Sequence, residues 1–120
     1  MRITRFQAVL RDRFQELSGE LTLRVEGTDV SGSLEIGGQQ SYFQGKMLRK
    51  NRYAAAIRLK TEVYEEDCDM LLRVREPGSI RGSIVGEWGS WSLEGSAVPE
   101  PPTGRGPGVE RRTAGKLSAT

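Results

Sequence analysis

A chain of 120 residues is one domain's worth of polypeptide, and 36% hydrophobic with 28% charged residues is an ordinary balance for a globular fold. With no histidine, Ser-His-Asp and Cys-His catalysis and His-ligated metals are excluded, and one cysteine, Cys68, excludes an internal disulfide or multi-cysteine zinc site. The net charge of +2 belongs to the tail, where Arg105, Arg111, Arg112 and Lys116 outnumber Glu100 and Glu110; residues 1–98 keep 14 of the 18 cations and 14 of the 16 anions.

Residues 3–17 are the one contested segment. Ile3, Phe6, Leu10, Phe14 and Leu17 fit a helical stripe that Ser18-Gly19 would end. Phe6, Ala8 and Leu10 equally fit a strand, in the parity of Tyr53, Ala55 and Ile57 later in the chain. The strand is the preferred reading. The helix is its alternative, which would leave seven strands and an N-terminal helix.

From there on alternation dominates. Leu21, Leu23 and Val25 are separated by Thr22 and Arg24, and Val30, Leu34 and Ile36 stand against Ser31, Ser33 and Glu35. Met70, Leu72 and Val74, then Trp91, Leu93 and Ala97, repeat the pattern. A period of two with one apolar face marks half-buried antiparallel strands. Gly27-Thr28-Asp29, Gly37-Gly38 and Pro77-Gly78-Ser79 supply turns between them.

The two halves also match. Arg5-Phe-Gln-Ala-Val-Leu-Arg11 parallels Arg52-Tyr-Ala-Ala-Ala-Ile-Arg58, and Val30-Ser-Gly-Ser-Leu34 parallels Ile80-Arg-Gly-Ser-Ile84. A duplicated four-strand unit over about 4–48 and 52–98 follows, with strands expected near 4–14, 19–27, 29–37, 40–48, 52–63, 68–76, 79–87 and 89–98. Short connections make the fold an all-β, antiparallel up-and-down meander, closing into an eight-stranded barrel that removes free edges. Such a glycine-punctuated meander resembles the lipocalin–avidin class of barrels in architecture, without any motif of those families; the resemblance implies a fold and no function.

Residues 99–120 open with Pro99-Glu-Pro-Pro-Thr-Gly-Arg-Gly-Pro-Gly and show no hydrophobic periodicity, so they read as a disordered tail. The basic residues Lys46, Arg49, Lys50 and Arg52 read as a solvated hairpin tip and not as a nucleic-acid surface. No apolar run approaches the ~20 residues of a membrane span, and no signal peptide is recognised, so the expected compartment is the cytoplasm.

Chemistry is sparse. The acidic run Glu62, Glu65, Glu66, Asp67 and Asp69 lacks the spacing of a calcium loop and reads as a solvated turn. Acidic neighbours disfavour a Cys68 thiolate, and Asp12 is a lone acid on inward parity. No phosphate-cradling glycine loop is present, so neither cofactor, metal site nor catalytic residue is expected. Trp88 has the parity of Ile84 and Trp91 that of Leu93, placing both on the apolar face near one barrel end. Inward Ala8, Gly32, Gly45, Ala55, Gly82, Gly95 and Ala97 leave room inside. The expectation is a non-catalytic binding module holding a small, mostly apolar ligand, with Tyr53, Trp88 and Trp91 at its site. The alternative is a protein-interaction or homo-oligomer-forming β-domain with a filled core.

Overall fold

The computed structural model describes residues 1–99, which form eight strands and no helix. The strands are β1 (Arg2–Arg11), β2 (Glu16–Glu26), β3 (Asp29–Ile36), β4 (Gln39–Arg49), β5 (Arg52–Lys60), β6 (Glu65–Arg75), β7 (Ser79–Val85) and β8 (Ser90–Ala97). Each pairs antiparallel with the next, and β8 returns to β1 from Phe6↔Ala97 to Arg11↔Ser92, closing the barrel. The contested N-terminal segment is therefore strand. Leu10 faces Leu17 and Leu93 across its two ladders, which a helix could not provide. The expectation of a disordered tail over 99–120 lies, from residue 100 on, outside the described residues.

Turn chemistry sets the register. Gly37 and Gly38 both have positive φ, 56° and 82°, as a two-residue turn matched to right-handed strand twist requires. The turns at Gly27-Thr28, Lys50-Asn51 and Glu76–Gly78 lie at one end of the barrel, called here the Asn51 end. Those at Asp12–Gln15, Gly37-Gly38, Thr61–Tyr64 and Gly86–Gly89 lie at the other, the Trp88 end. Tight coiling of the sheet depends on glycine at Gly32 and Gly82. A β-carbon at either would collide with the backbone carbonyl of the neighbouring strand, Thr22 or Leu71 respectively.

Inward positions supply one continuous core. β6 alternates without a break from Glu65 to Arg73, burying Glu66, Cys68, Met70 and Leu72. Leu10, Leu21, Leu34, Leu59, Ile80 and Ile84, drawn from five strands, have no surface that a water-sized sphere can touch. A hollow centre would leave such lining side chains accessible, so the barrel's middle is packed. Burial of that kind contributes roughly 1.5–3 kcal/mol per large side chain. Outside, exposed ion pairs join neighbouring strands. Arg11 bridges Glu16 at 2.6 Å and Glu94 at 3.0 Å, and Arg58 bridges Glu65 at 2.7 Å and Asp67 at 2.8 Å. Pairs this exposed contribute about 0–1 kcal/mol each.

Candidate functional site

The three residues expected to share a site lie apart. Trp91 is buried at the Trp88 end, its ring edge-to-face with Tyr64 at 6.2 Å and an interplanar angle of 66°. Tyr53 is also buried, but it pairs with Met47 and Leu72 beside the Asn51 turn, toward the opposite end. Trp88, expected on the apolar face, is 80% exposed. The reason is local. β7 stops at Val85 and Gly86 N–H donates to Gly89 O at 2.8 Å, so strand parity does not carry across the turn. Asp12 likewise leaves the inward parity once β1 ends at Arg11. Its Oδ1 accepts from the Phe14 and Gln15 amides at 2.7 and 2.9 Å, pinning the first turn.

Beneath Trp88 lies a polar group that the acidic-run reading missed. Glu66 points inward and is almost fully buried. One of its oxygens accepts from the Tyr64 hydroxyl, and Oε2 accepts from the Trp88 amide at 2.7 Å, tying the β5–β6 loop to the β7–β8 loop. Gly86 makes room for it, since a β-carbon there would meet the Glu66 carboxylate and come within 2.8 Å of Cys68 Sγ. Burial, and then the bond to Glu66, push the Tyr64 phenol well above its ordinary value. Burial and the Glu66 charge push the Cys68 thiol up as well. A buried thiol held protonated is a poor nucleophile, and the cluster's hydrogen bonds join two loops. Trp91 Nε1 is buried without a hydrogen-bond partner among the described residues. No group of three or more acidic or cysteine side chains there is disposed to hold a metal ion.

The outer wall carries a stronger signal. Register sets Arg49 opposite Arg52, Arg52 opposite Arg73, and Arg73 opposite Arg81, so four arginines form one row across β4, β5, β6 and β7. Directly opposed like charges destabilise a sheet. Arg81 reaches Glu94 at 3.2 Å, whereas Arg49, Arg52 and Arg73 have no carboxylate within 4.0 Å among the described residues. A groove of about 320 Å³ runs beside the row, lined by Leu48, Arg52, Leu71, Arg73, Arg81 and Ser83. Leu48 and Leu71 are more than half exposed. Leu48 projects where the β4–β5 register shifts between Met47 and Arg49. Of the expected site residues only Tyr53 borders this groove.

Part of the row was within reach of the sequence. Arg49 and Arg52 read as a hairpin tip, but Arg73 and Arg81 join them only through the pairing of β5, β6 and β7. Once the turns at 61–64 and 76–78 are fixed, counting back along each hairpin places the arginines face to face. Comparison with known proteins finds no matching family, no matching curated protein and no matching solved structure.

Proposed function

We propose that the barrel is a non-catalytic binding module that takes hold of an acidic protein segment on its outer wall. The observation that carries this reading is the arginine row in direct cross-strand register. Three guanidinium groups without carboxylate partners among the described residues, held at fixed spacing on a rigid sheet, suit bidentate capture of carboxylates. Exposed Leu48 and Leu71 in the same groove favour a polypeptide carrying apolar side chains between its acids. The packed centre favours a partner outside the barrel over a small ligand within it. Binding is accordingly the work of the filled-core reading, and chemistry at Tyr64, Glu66 and Cys68 forms no part of it.

Two further points belong to the proposal. The barrel is two copies of one four-strand unit, a reading supported by Gly32 and Gly82. Each faces a leucine on the strand before it, Leu23 and Leu72, in the same place in its half. Its compartment is the cytoplasm, where a lone thiol such as Cys68 stays reduced.

The test is a titration of the full chain with a synthetic peptide alternating glutamate and leucine, followed by amide chemical shifts. Expected are shifts centred on Leu71, Arg73, Arg81 and Ser83, weaker binding as salt rises, and loss of binding in Arg52→Gln/Arg73→Gln. An all-glutamate peptide should bind less well, for want of apolar contacts. Shifts confined to other strands would overturn the proposal, as would affinity indifferent to the double substitution. So would preference for an oligonucleotide over the peptide.

A further inference from the structure

The two ends of the barrel differ in the side chains they expose. Phe14, Val63 and Trp88 are 88%, 90% and 80% exposed, each on a different turn of the Trp88 end. Turn tips are normally polar, and three large apolar side chains together at one end are unusual. Nor are these loops loose. Asp12 fixes the Phe14 amide, Thr61 N–H donates to Tyr64 O at 2.7 Å beneath Val63, and Glu66 fixes the Trp88 amide. The apolar tips are thus presented by pinned backbone, which lowers the ordering entropy lost on contact.

The Asn51 end carries a cleft instead of apolar turn tips. This cleft of about 200 Å³ opens where Val25, Val74 and Pro77 stand beside Arg2, Thr4 and Glu76. Charge is sorted along the same axis. Counted along each strand to the nearer turn, all of the 14 cations of residues 1–98 except Arg11, Arg13, Arg58 and Lys60 fall toward the Asn51 end. All of the 14 anions except Glu26, Asp29, Glu76 and the midway Glu94 fall toward the Trp88 end. A mainly acidic end with apolar tips therefore stands opposite a mainly basic end with a cleft of mixed lining.

We infer that copies of this chain associate head to tail, the Trp88 end of one seated on the Asn51 end of the next. The contact is heterologous, so each added copy leaves one free end of either kind, and growth continues unless a ring closes. Opposite rims attract and like rims repel, which selects this orientation over end-to-end pairing of two Trp88 ends. It goes beyond the groove reading and stands or falls separately: Trp88→Ser, at the end away from the groove, removes the association and leaves peptide binding in place.

Sedimentation velocity on the full chain tests it. At low salt the mean mass should climb with concentration past that of a dimer, and fall back as salt is added. Trp88→Ser/Phe14→Ser blocks one end and Arg2→Glu/Arg24→Glu the other, all at exposed or rim positions. Each variant alone should remain monomeric, whereas an equal mixture should form a dimer and stop there, since it joins one intact end of each kind. Unchanged melting temperatures establish that both variants fold; should the first double variant melt early, Trp88→Ser alone serves in its place. A wild-type chain that stays monomeric at every concentration overturns the inference. So does self-association of the Arg2→Glu/Arg24→Glu variant alone, which marks a symmetric contact through the Trp88 end, or a mixture that stays monomeric.

Discussion

Replacing Arg73 by glutamate should make the protein more stable while removing its proposed activity. Arg73 lies between Arg52 on β5 and Arg81 on β7, directly opposite both. The substitution turns two like-charge contacts into two opposite-charge contacts. Each such cross-strand contact is worth roughly 0.2–1 kcal/mol. The side chains are exposed and screened, and glutamate is the poorer strand former, so the lower part of that range applies. Four changes of that size sum to a net gain of about 1 kcal/mol, which raises the melting temperature of a folded unit this large by about 4–8 °C. Arg73→Gln removes the repulsion without adding attraction and should give about half of the gain. Calorimetry at low and high salt is the assay. The gain should shrink in about 1 M salt, where screening acts within about 3 Å. An Arg73→Glu protein that melts at or below the wild-type temperature at low salt would refute the reasoning, and so would a gain untouched by salt.

Two other outcomes are expected at the Trp88 end. Gly86→Ala should destabilise the fold by roughly 1–3 kcal/mol, because the new methyl group overpacks against Glu66 and Cys68. In a Glu66→Ala background most of that loss should vanish, and a denaturant double-mutant cycle measures the coupling. The Tyr64 phenol, pushed up mainly by burial, stays protonated in the native state at pH values where the unfolded chain ionises. Its contribution is therefore complete below about pH 10 and declines as pH rises beyond it, by at most about 1.4 kcal/mol per pH unit. Urea unfolding above pH 10 should show a shallower pH slope in Tyr64→Phe than in wild type, and equal slopes would contradict the assignment.

The architecture was legible because period-two alternation and turn residues agree along the chain. Phe6, Leu21, Val30, Leu34, Ile57, Met70, Ile84 and Leu93 all have inward parity in the sequence, and all are buried. One part of what escaped depends on where a strand stops. Trp88 and Asp12 inherit no parity once β7 ends at Val85 and β1 at Arg11. Glu66 escaped for the opposite reason. The acidic run looked like solvent-facing turn, yet counting inward from Met70 through Cys68 reaches Glu66, and its strand begins at Glu65. The inward glycines suggested a hollow barrel. Instead Gly32 and Gly82 let backbones approach closely, so the space a side chain would fill is taken by the neighbouring strand. The arginine row needed pairing across three hairpins, information spread over more than thirty positions from Arg49 to Arg81.

Closure of the barrel has a consequence for how the chain is made. The seam joins Phe6 to Ala97, so β1, synthesised before the other seven strands of the barrel, waits for β8. Until β8 emerges, β1 and β7 each present an unsatisfied row of amides and carbonyls, the arrangement most prone to capture by another nascent chain. Pairing so distant in sequence is also slow to form. Because β1 begins and β8 ends at the same rim, a permuted gene opening at the Gly37-Gly38 turn and linking Ala97 to Arg2 would bring them off the ribosome as neighbours. Exchange of β8 between chains is then the error to which the natural order is exposed and the permuted order is not.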